Sequence, residues 1–147
     1  MESSGPARVL VVAHRTAATP ALLEVVRERA ARGPAVFTLL VPNTPHGLAR
    51  VTDPEDQDDD EANAVLELAV PLLEEAAGGP VTGMVGDPNP LNAIHDAVNL
   101  HGFDEIIISM LPTRVSRWMR LDLAHKAAGL GLPVTTVTAK ERSSAQV

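Results

Sequence analysis

Three of the chain's twelve basic residues stand between Arg114 and Arg120, in the stretch Pro112-Thr-Arg-Val-Ser-Arg-Trp-Met-Arg120. Ser116 is of a type that caps helices, which places Arg117 and Arg120 in a first helical turn. There the helix dipole disfavours a cation by up to about 1 kcal/mol, and an anion held nearby would relieve that. The planar fork of arginine suits phosphate, and the N–H groups that open a helix point the same way. Thr113, Arg114, Ser116 and Arg117 therefore compose a candidate anion site, with Arg15 reaching in from the loop that follows the first strand. The competing reading sends the arginines into solvent, or to acids such as Asp122, where surface pairing costs little. Pro112 fixes the approach of the loop, and Trp118 is expected to pack over its helix onto the sheet.

Other chemistry finds less support. His14, His46, His95, His101 and His125 show no paired ligand spacing and there is no cysteine, so no metal site is expected. Seven of the nine residues from Asp53 to Glu61 are acidic, but the spaced Asp-x-Asp-x-Asp-Gly pattern of a calcium loop is missing and Pro54 interrupts the run. Neither a Gly-x-Ser-x-Gly elbow, nor a Gly-x4-Gly-Lys phosphate loop, nor a His-Glu-x-x-His zinc motif occurs. Ser109, Ser116, His14, His125 and Asp122 are of catalytic types, yet no spacing requires them to meet. A non-catalytic chain is expected, with His14 of interest because it ends a central strand.

With 147 residues the chain can bury one continuous core, so a single domain spanning 1–147 is expected. The formal net charge of −7 opposes a general affinity for nucleic acid or acidic membrane. Phe37, Phe103 and Trp118 are the only aromatic side chains besides the histidines, too few for a base-stacking platform. No apolar run approaches the roughly 20 residues that cross a bilayer. Nucleic acid and membrane are thus not expected partners, and the absence of cysteine fits a reducing, cytoplasmic setting.

The elements that would position these residues follow from apolar patterning. Arg8 to Ala13, Ala35 to Val41 and Glu105 to Ser109 are short, nearly continuous apolar runs, as in strands covered on both faces. Val81 to Val85 and Val134 to Thr138 are weaker strands. Thr19 and Pro20 open a helix carrying Leu22, Leu23, Val26 and Ala30 inward, with Gly33 as a left-handed stop. A helix from Glu61 carries Ala62, Val65, Leu66, Ala69, Leu72, Leu73 and Ala76 to Gly78, with Pro71 expected to kink it. Asn89 and Pro90 open a third, carrying Leu91, Ile94 and Val98 toward Gly102. A last helix is expected from Ser116 to Ala128. The polar stretch from Pro42 to Asp60 is expected to be a loop, with residues 43–60 mobile, and residues 141–147 a flexible tail.

Alternating strands and helices imply right-handed crossovers and a five-stranded parallel α/β sheet with helices on both faces. Strand three contains Thr82 and Gly83, and strand five alternates Val134-Thr-Thr-Val-Thr138, so both belong at edges. The order 3-2-1-4-5 follows. It reverses between strands one and four, and ligands in open α/β sheets bind above strand ends at such a reversal. His14, Arg15, Thr16 and Ser109 thereby join Thr113, Arg114, Ser116 and Arg117 as the expected ligand-binding set.

In this arrangement the chain resembles the universal stress protein family from Arg8 to Ala139. The likeness is carried by Gly86-Asp87-Pro88 after strand three, then a helix, then Phe103-Asp-Glu-Ile-Ile-Ile108, similar to the family's Gly-Asp-Pro, helix and Asp-led fourth strand. The resemblance implies an adenine nucleotide alpha hydrolase-like fold and a ligand of nucleotide type. The family's ATP-binding members place a glycine, two residues, a glycine, nine residues, then glycine and a hydroxyl residue after strand four. Ser109, Pro112, Asp122 and Leu123 stand at those four positions, and His14 stands where an aspartate follows strand one. Proline has no N–H to offer a phosphate and aspartate repels one, so the usual ATP mode is not expected.

The expected function is a non-catalytic small-ligand-binding or regulatory module, taking a nucleotide or other phosphate anion in an altered pocket. The alternative is a degenerate member that binds no nucleotide and acts as a homodimeric interaction module. In either case a homodimer through strand five is expected, because Val134 to Thr138 has no lysine or proline to discourage pairing.

Overall fold

The computed structural model describes residues 6–14, 16–43, 54–110 and 123–138. Its elements alternate: β1 (Ala7–Val12), α1 (Pro20–Arg32), β2 (Ala35–Pro42), α2 (Pro54–Ala77), β3 (Val81–Gly86), α3 (Pro90–His101), β4 (Glu105–Met110), α4 (Leu123–Ala128) and β5 (Val134–Thr138). All strands pair in parallel, in the order β3-β2-β1-β4-β5. The two weakest strands of the sequence are thus the edges, as their composition predicts.

Side-chain alternation along each strand divides the core into two layers. Val9, Val11, Phe37, Leu39, Val41 and Ile107 face α1 and α2, where they meet Leu22, Val26, Ala69 and Leu73. Leu10, Val12, Leu40, Ile106 and Ile108 face α3 and α4, where they meet Ile94, Ala97, Leu123 and Ala127. The apolar helix positions picked out in the sequence join these layers, Leu72 excepted, and α3 adds Ala93 and Ala97, whose small side chains let it approach the sheet.

Several local expectations are corrected. Helix α2 begins at Pro54 rather than Glu61, so residues 54–60 are helical and not part of a loop. Proline is well placed in a first turn, and acids there complement the dipole. Residues 44–53 and 141–147 lie outside the described residues. Thr19 stands at the N-cap of α1, but its side chain makes no capping bond; Oγ1 instead donates to the Thr16 carbonyl at 2.9 Å. Gly33 is extended, at φ 164°, a conformation open to any residue, so it is not a left-handed stop. Positive φ is found instead at Gly78 after α2 and at Gly102 after α3, both at 75°; the Gly78 N–H bonds to the Glu74 carbonyl at 2.8 Å.

At the amino end of the sheet, polar bonds fasten elements distant in sequence. Arg29, in the last turn of α1, grips Glu105 through Nε at 3.0 and 3.1 Å and through Nη2 at 2.7 Å. Their side chains are only 12% and 22% exposed. The hydrogen bonds to Glu105 raise the Arg29 pKa above its ordinary value, against the opposing effect of burial. A raised cationic pKa means that this stabilisation is in place through the neutral and mildly alkaline range. On the alkaline side it is lost as the pH rises through the folded-state value. Beside it, Arg8 N–H donates to Asp104 Oδ2 at 2.8 Å and Asp104 N–H returns a bond to the Arg8 carbonyl at 2.8 Å.

Two substitutions check this account by chemical denaturation. Arg29→Met leaves a partly buried carboxylate without its fork and is expected to cost about 1.5–3 kcal/mol. Gly86→Ala places a methyl 2.8 Å from Leu40 Cδ1 and 2.9 Å from Ala93 Cβ, and the overpacking is expected to cost about 1–3 kcal/mol.

Candidate functional site

The sheet order reverses between β1 and β4. The chain leaves β1 toward α1 on one face and leaves β4 toward α4 on the other, and the carboxyl ends of these strands border the place where such sheets bind ligands. On the β1 side the loop is two successive turns. Ala17 N–H bonds to the His14 carbonyl at 3.2 Å, and Thr19 N–H bonds to the Thr16 carbonyl at 3.2 Å. His14 itself is partly buried.

Thr16 and Ser109 meet at this point. Their hydroxyls lie 2.6 Å apart, and Thr16 Oγ1 also bonds to the Ser109 carbonyl at 3.2 Å. Since that carbonyl only accepts, the Thr16 hydroxyl donates to it and the Ser109 hydroxyl donates to Thr16 Oγ1. They are 3% and 1% exposed, and are the only buried polar or charged side chains among the described residues. Sequence reading placed both among the ligand contacts; the structure brings them together as a hydrogen-bonded pair. The signal for the pairing was absent from the sequence, since 93 positions separate the partners.

Arg15, Thr113, Arg114, Ser116 and Arg117 lie outside the described residues, as do Pro112, Trp118, Arg120 and Asp122. Leu123 is described: it is 1% exposed and packs in the core layer of α3 and α4. His125 is exposed, on α4. Among the described residues no group of three His, Asp or Glu side chains is arranged to hold a metal ion. No helix among them is long and apolar enough to cross a membrane.

The residues that carried the family likeness have local duties. Asp87 Oδ1 accepts from Asn89 N–H at 2.8 Å, and Asn89 Oδ1 caps α3 by accepting from Leu91 and Asn92 N–H at 2.9 and 3.1 Å. Gly86 leaves room for α3 against β3, and Asp104 ties β4 to β1 at the far end. Sequence reading missed Asn43, which follows β2 at the same end of the sheet and donates its N–H to the Gly86 carbonyl at 2.9 Å. A polar residue directly after an apolar strand was the available signal.

These features define a doubly wound parallel α/β domain with its strand-order reversal bordered by a buried hydroxyl pair. The fold is that of the universal stress proteins. The universal stress protein of Archaeoglobus fulgidus matches with a TM-score of 0.63 at 16% identity, over 90% of this chain and 94% of that one. A structure of the universal stress protein from the same organism in complex with dAMP matches at 0.60 and 19%, over 91% and 98%. A universal stress protein family protein of Arabidopsis thaliana with AMP bound matches at 0.58 and 14%, over 92% and 94%. No family model matches the chain, and no curated protein matches it in sequence.

Removing the cap checks the role given to Asn89. Asn89→Ala is expected to cost about 1 kcal/mol and to speed amide exchange in the first turn of α3, while Asn89→Asp preserves both.

Proposed function

We propose that this chain is a non-catalytic ligand-binding or regulatory module of universal stress protein type, taking a nucleotide or another phosphate anion in an altered pocket. The reading is carried by the reversal of strand order at β1 and β4, in a fold shared with proteins solved with AMP and dAMP. Leu123 supports the altered pocket. It occupies the position at which the resemblance calls for a hydroxyl, and it is buried in the core. Without the glycine loop, positive charge has to come from side chains. Arg114 and Arg117 supply it, with Thr113, Ser116 and the helix start completing the coordination and Arg15 opposite. His14 borders the same end of β1. The module works in the cytoplasm, where a cysteine-free chain is at no disadvantage.

Calorimetric titration with AMP, ATP and inorganic phosphate tests this reading. Saturable binding is expected for at least one probe, together with a raised melting temperature. Arg114→Ala combined with Arg117→Ala is expected to abolish both without unfolding the protein. A parent protein that binds none of the probes, or a double variant that binds as well as the parent, rejects the site.

A second reading, a homodimeric interaction module, is favoured by β5. It is an outermost strand, and Thr135, Thr136 and Thr138 are exposed on it, with no charge or proline to discourage pairing. Light scattering at micromolar concentration is expected to give a dimer, and Thr136→Pro to weaken it. A monomer rejects this assembly.

A further inference from the structure

Burying two hydroxyls needs a reason, because replacing a bonded polar pair by apolar groups of the same shape is often neutral or stabilising. Ala17, next to Thr16, and Ile107, two residues before Ser109 on the same face of β4, are apolar and buried. The only buried polar or charged side chains among the described residues stand where the sheet order reverses.

Strand alternation shows what the pair fastens. Glu105, Ile107 and Ser109 are alternate residues of β4, so they share the face on which Ile107 joins the α1 and α2 core layer. Glu105 is held by Arg29, from the last turn of α1, and Ser109 is held by Thr16, from the loop that leads into α1. Leu22 and Val26 lie in the same core layer as Ile107. Helix α1 is thus fastened to both ends of one face of β4, with apolar packing between. The spans agree: Pro20 to Arg29 rises about 14 Å as helix, and Glu105 to Ser109 about 13 Å as strand.

We propose that Thr16 and Ser109 form a latch that fixes the β1–α1 turn as a preorganised wall of the ligand crevice. This rests on the ligand-binding reading above for its functional meaning, but the latch itself is tested without a ligand. Both hydroxyl protons are consumed within the pair and the carbonyl of Ser109, so Thr16 and Ser109 are positioning residues and donate no bond to an anion. Their contribution is to hold the Ala17 and Thr19 turns at a set distance from the end of β4, by a direct bond rather than through the ligand. A wall held in this way does not reshape around a ligand, and a rigid site loses less ordering entropy when it binds.

Amide hydrogen exchange of the full chain, with Thr16→Val and Thr16→Ser compared, separates a latch from simple packing. Valine keeps the branched shape and loses the hydroxyl; serine keeps the hydroxyl and loses a methyl. A latch makes exchange at Ala17 and Thr19 at least tenfold faster in Thr16→Val and leaves it near the parent rate in Thr16→Ser, with the amides of β1 and β2 unchanged in both. Faster exchange in the serine variant only, or no change in the valine variant, overturns the proposal. Should Thr16→Val fail to fold because it strands the Ser109 hydroxyl, the double variant Thr16→Val, Ser109→Ala removes that penalty and carries the same test. The double variant is also expected to exchange no faster than the faster single one, whereas additive effects reject a shared bond. AMP titration of the same variants then reads the crevice: about tenfold weaker binding in Thr16→Val and parent-like binding in Thr16→Ser are expected. Parent-like AMP affinity in a valine variant with fast exchange overturns the wall. Absence of binding of AMP, ATP and inorganic phosphate by the parent protein rejects the ligand reading and leaves the exchange result to decide the latch.

Discussion

Strands β1 and β4 are covered by helices on both faces, and the packing of the remaining elements answers to that burial. A strand with no solvent face cannot alternate apolar and polar residues, so both are nearly continuous apolar runs. They donate odd-numbered residues to one core layer and even-numbered residues to the other. The helices are drawn in pairs, α1 with α2 and α3 with α4, because each layer needs a full apolar cover. Right-handed crossovers then leave only one way for the chain to depart from β1 and β4, toward opposite faces. The place where a ligand can be met is a by-product of that divergence. It owes nothing to any particular polar residue.

This explains which parts of the molecule were legible in the sequence. Runs such as Val9 to Val12 and Ile106 to Ile108 announce two-sided burial without reference to anything else, and the Asn89-Pro90 pair announces a helix start by local chemistry. The weak strands identified themselves as edges by Thr82, Gly83 and the threonines of β5. The start of α2 was misjudged because apolar content was used to decide where a helix begins. Pro54 and the acids after it instead satisfy the chemistry of a first turn, which does not require burial. Gly33 was misjudged for the converse reason, since a glycine after a helix permits a left-handed stop without requiring one.

The polar contacts were less legible because they join distant positions. Arg29 and Glu105 are 76 positions apart, and Thr16 and Ser109 are 93 apart. Residue type marked the hydroxyls as available for hydrogen bonding, and topology brought them to the right end of the sheet. Neither consideration could say that they would bond to one another. The arginine-rich stretch shows in the sequence as a concentration of charge in an acidic chain, and it lies outside the described residues.

The placement of the fastenings bears on how such a domain can change over time. Arg29 with Glu105 and Asp104 with Arg8 sit at the amino end of the sheet, while the loops that would select a ligand leave from the carboxyl end, about 17–20 Å away along a six-residue strand. Substitutions separated by that distance act nearly independently on stability. Apart from Thr16, whose hydroxyl is bonded to Ser109, the loops can therefore exchange glycines for prolines, or hydroxyls for arginines, without drawing on the bonds at the amino end that register β1, β4 and α1. A lineage of such chains is free to try new ligands at one end while its architecture is inherited through the other.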